Sequence, residues 1–508
     1  MNALVLAVIT ASFPISVHPS GRYLVDAAGV PFPILGMTAW SAAVNLNPTE
    51  AATFIRDRTD KGFNSVLIYL TEHRFTSNKP PANYKRALPF LKRLDGAPYS
   101  GSPNGTTTPT PAGFAPDPYA RARFGVWFGP RTVVKAAPDF TTPNEAYWQA
   151  IDWFLLECEK NGLLVFAFPA YLGYHGEEEG WMAEMLANGP ERIRSYGEWV
   201  AARYKSRKNI VWVLGGDLYP SASGKPSQEE VLNALYLGLA SVTGQLSGPH
   251  FTAHWVYGPG SPHELATSHP RFAPVMDLNA VYDKTARDCE SCLAGYRRTP
   301  PMPVFLLEGA YETGAFGDVG EPNRRHGWSY FLCSGSGDGF YGQGSTTTEG
   351  WMFLPGWAST LQSQGSKDAA RRHAFINSIP WYKLVPSGQA GTKTLITAGA
   401  GTSGGQAYDF VPSAVAVDGS LLVAYVPPAH SGTITVDLTA MAGRSRVRWY
   451  NPYSGAYSMV GYYEPASATL APPSDNGSGY ADWLLVADAL EKTQGPKAPE
   501  LPPRRPEQ

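Results

Sequence analysis

The chain has 508 residues, of which 43% are hydrophobic and 17% are charged, so it can bury one large core or two moderate ones. Lys and Arg number 41 and Asp and Glu number 43, which leaves a formal charge of −2 without the basic field that attracts nucleic-acid phosphates. We therefore expect no nucleic-acid partner. Outside the N-terminus, the chain contains no run of about twenty apolar residues, so we expect no membrane span.

The two ends of the chain differ from the rest in composition. Residues 1–17 are apolar without a leading Lys or Arg and resemble a degenerate signal peptide, so we treat 1–19 as a separate segment and expect a secreted or periplasmic protein. Residues 491–508 contain five prolines and no apolar pattern, which predicts a disordered tail.

A unit of capped helix followed by a short apolar strand recurs along the chain. Asn47-Pro48-Thr49-Glu50 has the pattern of a capping box, Gly62 ends the helix, and a strand follows at 63–70. The motif at 142–145 opens a second helix, and Ser227 with Glu230 caps another. The strands predicted in this way are 33–36, 63–70, 163–168, 210–214, 251–253, 276–278, 304–307 and 339–341.

Eight apolar strands separated by amphipathic helices predict a (β/α)8 TIM barrel over residues 20–385. An open doubly wound sheet would carry a Gly-rich phosphate turn after its first strand, and none is present there. The stretch 337–342 (GDGFYG) matches GxGxxG by letter, but no helix begins inside it, so we predict a tight loop. From 386 to 490 strands alternate with turns and no helix is evident, which predicts a small antiparallel β-sandwich.

The four cysteines are too few for a disulfide scaffold. Cys158 and Cys333 lie in apolar helical patterns and are predicted to be buried, inert thiols. Cys289 and Cys292 are close enough in sequence for a local disulfide in a secreted protein, and a redox pair is the alternative.

The catalytic residues of a barrel lie at the C-terminal ends of its strands, and two acids occupy such positions. Asp217 follows the fourth strand after two glycines, and Glu308 ends the seventh strand after four apolar residues. Strands four and seven are nearly opposite in an eight-stranded ring, so these carboxyl groups can converge on one sugar, as glycoside hydrolysis requires. The alternative is that each acid caps a helix or pairs with an Arg.

Aromatic and polar residues follow the other strands and offer stacking and hydrogen bonds to a sugar. The predicted substrate-binding residues are Trp40, Tyr69, Tyr171, His254, Trp255, Tyr282, Tyr311, Gln343 and Trp351, with Tyr174 and Glu312 beside them. The long Pro- and Gly-rich stretch 71–142 is predicted to cover the same end of the barrel. His263, Glu264 and His269 do not fit HExxH, the acidic run 177–179 is predicted to be a solvated loop, and we expect no metal or cofactor.

Several motifs in order resemble the apiosidase-like glycoside hydrolases, a group similar to glycoside hydrolase family 140. They are 35–40 (LGMTAW), 211–217 (VWVLGGD), 305–312 (FLLEGAYE), 324–326 (RRH) continuing to 342, and 381–386 (WYKLVP). The resemblance implies a retaining enzyme with Asp217 as acid/base and Glu308 as nucleophile, acting on an apiose- or arabinofuranose-type bond in an oligo- or polysaccharide. It also implies a C-terminal β-domain for which collagen binding is suggested by analogy.

Met37 stands where relatives usually carry an Asp, so the substrate of this chain can differ from theirs. Two other classes of function remain open at this point. One is a non-catalytic protein that binds a glycan or a matrix protein on a barrel scaffold. The other is a peptidase attached to a collagen-binding module.

Overall fold

The computed structural model describes residues 11–77, 81–101, 137–176, 179–244, 248–256, 265–283, 289–312, 321–343, 353–404 and 408–490. Within them eight strands, called barrel strands one to eight, run in the order of the chain. Their bounds are Ile34–Thr38, Ser65–Tyr69, Leu164–Phe168, Ile210–Gly215, Phe251–His254, Asn279–Tyr282, Val304–Glu308 and Gly337–Tyr341. A three-stranded antiparallel sheet of Ser16–Val17, Leu24–Val25 and Pro31–Phe32 precedes them.

The eight strands close into a ring. Strand eight pairs in parallel with strand one, the sheet continues in sequence to strand five, and strands six and seven form their own parallel pair. Between strands five and six the Thr252 hydroxyl donates to the Leu278 carbonyl at 2.9 Å. Strand eight passes so close to strand seven that a Cβ at Gly339 would lie 2.2 Å from the Leu306 carbonyl oxygen. The predicted (β/α)8 barrel is therefore confirmed.

Aromatic rings fill the interior of the barrel. The ring centroid of Phe166 lies 5.3 Å from that of Phe305 and 5.1 Å from that of Phe340. A Cβ at Gly36 would come within 2.5 Å of the Phe340 ring, so strand one makes room for that side chain by carrying glycine. The barrel is a packed core and not a pore, which confines any site to its rim.

The helices surround the strands, and two of them begin at the predicted capping boxes. In the capping box of the second helix the Asn47 carboxamide accepts the amide of Glu50, whose carboxylate accepts the amide of Asn47. Ser227 and Glu230 make the same reciprocal pair. The helices are Ala42–Asn45, Pro48–Asp60, Glu145–Lys160, Met182–Tyr204, Gln228–Thr243, Glu290–Tyr296, Glu321–Ser334 and Gln364–Asn377, the fourth being broken at Gly189 (φ +74°).

The prediction for strand six is wrong by about three residues, because the strand begins at Asn279 and not at Met276. Asp277 prevents earlier pairing: its carboxylate accepts the amides of His250 and Phe251, and its own amide donates to the Phe251 carbonyl. This connection crosses to strand five, so the parallel ladder with strand seven starts only afterwards.

The cysteine prediction is also wrong in part. Cys289 forms a disulfide with Cys333, 44 residues away, and Cys292 remains a buried thiol. The two bonded residues meet because the helix at 290–296 packs on the helix at 321–334, with a Cα–Cα distance of 5.6 Å. Cys158 is buried and free, as predicted.

The C-terminal part is a β-sandwich, as predicted. One antiparallel sheet has six strands in the order Leu384–Pro386, Ser413–Ala416, Leu421–Val426, Trp483–Ala489, Ser445–Tyr450 and Tyr457–Tyr463. The second sheet has three, in the order Ile396–Ala398, Ile434–Asp437 and Ser467–Leu470. Their facing side chains, among them Leu422, Ile434 and Leu485, form one apolar core.

The sandwich shares a second apolar core with the barrel. Trp328 and Phe375 of two barrel helices pack against Tyr450 of the large sheet, together with Val423 and Leu484. At the edge of this core the buried Arg324 donates from Nε and Nη2 to Asp482, both at 2.7 Å. The junction between the two parts is therefore both apolar and ion-paired.

None of the helices in the described ranges is long and apolar enough to pass through a bilayer. The predicted signal-like residues 1–10, the tail 491–508, residues 78–80 and residues 102–136 of the long loop lie outside the described residues.

Candidate active site

The turn after strand four directs Asp217 into the barrel mouth, which is the rim at the C-terminal ends of the eight strands. Its three residues all have positive φ angles, +91° at Gly215, +116° at Gly216 and +47° at Asp217. A Cβ at Gly216 would lie 2.2 Å from the Tyr171 ring, so only glycine permits this approach. Asp is among the few other residues that tolerate the left-handed region, and here it occupies that region as a half-buried residue.

Strands four, five and seven bring three functional side chains together. One side-chain ligand atom from each of Asp217, His254 and Glu308 lies within 4.8 Å of the other two. Glu308 is 2% exposed and His254 is fully buried. The two acids selected from the sequence therefore face each other in one place.

His254 links the two acids. Its Nδ1 accepts the backbone amide of Asp217 at 3.0 Å, so Nδ1 carries no proton. The other ring nitrogen, Nε2, lies 2.7 Å from Oε2 of Glu308. The imidazole therefore orients one carboxylate while it supports the backbone that carries the other.

Tyrosine hydroxyl groups complete the contacts of the acids. Tyr311 donates its hydroxyl to Oε1 of Glu308 at 2.8 Å and accepts from the Trp40 indole at 2.7 Å. Tyr171 donates to Oδ2 of Asp217 at 2.6 Å, and the Tyr282 hydroxyl forms a further hydrogen bond with Asp217. Oε1 of Glu308 thus has the Tyr311 hydroxyl as its donor, while Oε2 lies against the His254 imidazole.

The tyrosines at this site stay protonated. Burial first, and then the negative charge of Asp217, raises the pKa of Tyr171 and of Tyr282 well above the ordinary value. Burial also raises the pKa of Tyr69, with Glu72 and Asp217 adding to it. Neutral phenols at these positions can donate to carboxylates across the working pH range.

Six of the nine predicted substrate-binding residues belong to this cluster: Trp40, Tyr69, Tyr171, His254, Tyr282 and Tyr311. Their rings pack on one another, with centroids 5.0 Å apart for Trp40 and Tyr69 and 4.6 Å for Tyr69 and Tyr171. Trp255 instead donates to the Ala266 carbonyl and packs against Phe272. Gln343 is fully buried after strand eight, and Trp351 lies outside the described residues.

Two glutamates near the mouth have structural contacts. The carboxylate of Glu312 accepts from the Ser363 hydroxyl and the Gly365 amide, both at 2.6 Å, and so holds the start of the last barrel helix. The carboxylate of Glu72 accepts the amides of His73, Arg74 and Phe75 and so fixes the turn after strand two.

Glu179 differs from the solvated residue predicted from the sequence. Its Oε1 accepts the amide of Tyr174 at 2.7 Å and lies 3.2 Å from the hydroxyl of Tyr171. The other two acids of the run, 177 and 178, lie outside the described residues. The position of Glu179 on the loop after strand three was the one sequence signal for this placement, since such loops form the barrel mouth.

Asp217, His254 and Glu308 are close enough for one cation to bridge them. Nδ1 of the imidazole accepts the Asp217 amide, and Nε2 is in contact with Oε2 of Glu308 at 2.7 Å. A cation would have to break the second of these contacts to gain a nitrogen ligand, so we assign no metal to this group.

Comparison with known proteins agrees with the fold. Residues 18–383 match the family described as "Apiosidase-like, catalytic domain", and residues 405–488 match the "Putative collagen-binding domain of a collagenase". No curated protein matches the sequence.

Solved structures of glycoside hydrolases share the architecture at low sequence identity. A glycoside hydrolase family 5 protein from Bacteroides vulgatus ATCC 8482 is 19% identical, with a TM-score of 0.67 and 94% of each chain covered. A second structure described as a glycoside hydrolase is 18% identical, with a TM-score of 0.64, and covers 94% of this chain and 97% of that one. Because its match spans most of the sequence, the chain belongs to the family of apiosidase-like catalytic domains.

Proposed function

We propose that the protein is a retaining glycoside hydrolase in which Glu308 is the nucleophile and Asp217 the acid/base. The observation that carries this proposal is the convergence of the two carboxylates from strands four and seven, with an oxygen of each within 4.8 Å of the other. Retaining enzymes place their carboxyl groups about 5 to 5.5 Å apart, whereas inverting enzymes leave about 6.5 to 9.5 Å for a water. The separation here supports direct attack by a carboxylate.

The surroundings of the two acids match these two roles. Oε1 of Glu308 accepts a hydrogen bond from Tyr311 and Oε2 lies 2.7 Å from Nε2 of His254, which together orient the carboxylate. Asp217 is half-buried on a turn that projects into the mouth, where it can reach a leaving-group oxygen. It would protonate that oxygen as Glu308 bonds to the anomeric carbon, and would then take a proton from the water that releases the sugar.

The family assignment supports a furanosidic substrate of the apiose or arabinofuranose type, carried on an oligo- or polysaccharide. Buried aromatic rings such as Trp40, Tyr69 and Tyr171 beside the acids suit the apolar faces of a sugar. A secreted or periplasmic location would give the enzyme access to such polymers.

The experiment is a screen of aryl furanosides and of plant and bacterial polysaccharides, with the anomeric configuration of the first product followed by NMR. We expect net retention, and losses of at least roughly 100-fold in kcat/KM for Asp217→Asn and for Glu308→Gln. Glu198→Gln, an exposed helix residue paired with Arg194, is the matched control and should retain activity.

Full activity in both active-site variants would refute the proposed roles. Binding of a glycan with no cleavage by the parent protein would favour the non-catalytic alternative. Inversion of configuration would keep the hydrolase but replace the covalent step by general-base attack of water.

A further inference from the structure

The hydroxyl of Tyr171 lies between two carboxylates. Its oxygen is 2.6 Å from Oδ2 of Asp217 and 3.2 Å from Oε1 of Glu179. Tyr171 is 4% exposed, whereas Glu179 is only half-buried. The phenol therefore connects the inner acid to an acid closer to solvent.

A neutral phenol has a single proton to donate. Burial and the two flanking carboxylates keep the pKa of Tyr171 well above its usual value, so the hydroxyl retains that proton. It cannot donate to both acids at once. The carboxylate that accepts the hydrogen bond from Tyr171 is stabilised as an anion, and the other carboxylate loses that stabilisation.

We propose that Glu179 is a positioning residue that competes with Asp217 for the Tyr171 hydroxyl and thereby keeps Asp217 protonated before catalysis. This inference rests on the proposed function, in which Asp217 must begin the reaction as an acid. The charge of Glu179 also disfavours a second negative charge nearby. The Tyr174 amide, 2.7 Å from Oε1, holds Glu179 in this arrangement.

The same contact serves the later state of the enzyme. Once Asp217 has given its proton to the leaving oxygen it is the stronger acceptor, and the 2.6 Å hydrogen bond from Tyr171 seen in the structure is the contact of that ionised state. Tyr171 keeps its own proton throughout, and only its hydrogen-bond acceptor changes. Glu179 therefore needs no contact with the substrate to affect the reaction.

Other titratable groups also face Asp217 within the described residues. Tyr69 lies on strand two with Glu72 beyond it, His254 on strand five, Tyr282 on strand six, and Glu308 and Tyr311 at strand seven. None of these groups is changed when Glu179 or Tyr171 is substituted. A change in the titration of Asp217 between variants therefore reports on Glu179 and Tyr171 alone.

The test is an NMR titration of the full-length protein with 13C-labelled Asp side-chain carboxyls. The resonance of Asp217 is assigned by its loss in Asp217→Asn. We expect the midpoint of this resonance to move to lower pH by roughly half a pH unit or more in Glu179→Gln, and to higher pH in Tyr171→Phe. In the double variant Glu179→Gln with Tyr171→Phe, the effect of the Glu179 substitution should shrink.

An unmoved Asp217 midpoint in Glu179→Gln would overturn the proposal, as would an undiminished Glu179 effect in the absence of the Tyr171 hydroxyl. The control Glu198→Gln should leave the midpoint in place. This titration uses no substrate, so its result is independent of the screen that tests the hydrolase.

Kinetics give a second readout on the glycoside found in that screen. The alkaline limb of the pH profile of kcat/KM should move to lower pH in Glu179→Gln while the acidic limb stays in place. A uniform drop in rate with both limbs unmoved would show a merely structural role and overturn the proposal. The hydrolase assignment itself fails on a different result, which is full cleavage by Asp217→Asn and Glu308→Gln.

Discussion

The barrel mouth and the barrel–sandwich junction both bury charged side chains, but they balance those charges in opposite ways. At the junction Arg324 donates two hydrogen bonds to Asp482 and a third, at 3.0 Å, to Asp368. At the mouth two acids face each other and are contacted by tyrosine hydroxyl groups and an imidazole.

This difference separates the charges that serve stability from those that serve reactivity. A buried cation surrounded by carboxylates has its desolvation cost offset by direct pairing, which fixes the sandwich on the barrel. Two like charges held by neutral donors keep part of their mutual repulsion, which reduces stability but leaves one acid ready to hold a proton. The same residue types therefore have opposite energetic consequences in the two regions.

Removing the junction cation is expected to have the largest effect on stability. Arg324→Met leaves Asp482 and Asp368 buried without their shared partner, so we expect the free energy of unfolding to fall by about 3–5 kcal/mol. Denaturant unfolding measures this loss. Arg194→Met, which removes an exposed ion pair, should cost less than about 1 kcal/mol. Equal losses in the two variants would remove the distinction between a buried and an exposed pair.

His326 lies on the same helix as Arg324 and connects that helix to the turn after strand seven. Its Nδ1 accepts the amide of Ala310, in the turn between Glu308 and Tyr311. Burial, with a contribution from Arg325, lowers the pKa of His326 from 6.5 to about 3. The unfolded chain therefore binds the proton first, and stability present above pH 6.5 is lost as the pH falls toward 3.

His326→Asn keeps an acceptor near the Nδ1 position but does not titrate. We expect its free energy of unfolding to fall less steeply than that of the parent between pH 6.5 and pH 3, with a difference of up to several kcal/mol. Parallel pH profiles in the parent and the variant would contradict the assignment of this acid sensitivity to His326.

The hydroxyl of Tyr311 is predicted to support catalysis more than folding. Tyr311→Phe removes the donor to Oε1 of Glu308, so kcat/KM should fall by roughly 10- to 100-fold, as for the loss of a hydrogen bond to a charged group. Thermal unfolding should change little. Tyr382→Phe, at an exposed ring, is the matched control. An unchanged kcat/KM in Tyr311→Phe would show that this hydroxyl does not support catalysis.

The smallest expected effect has the opposite sign to that at the junction. At alkaline pH, where both mouth acids are ionised, Asp217→Asn should be more stable than the parent by about 1 kcal/mol. The difference should shrink as the pH is lowered and the repulsion disappears. Denaturant unfolding at several pH values measures it, and a variant less stable than the parent at alkaline pH would show that the paired acids do not repel.

Much of the mouth was predictable because its signals are local. The runs that end in Asp217 and Glu308 define buried strands, and parallel barrel strands end at the same rim, so their terminal acids could converge across it. The role of His254 was predicted less well. It was expected to bind substrate, and no local pattern shows that its two nitrogens join the Asp217 amide to Glu308.

The amino-acid order alone determined the alternation of capped helices and apolar strands, the change to a strand-rich C-terminal part and the two acids at strand ends, because caps, periodicity and turn residues act over a few neighbours. Tertiary packing alone decided the partner of Cys289, the start of strand six and the position of Glu179 beside Tyr171. These depend on which distant backbones and side chains come into contact, and short-range sequence patterns carry no record of such contacts.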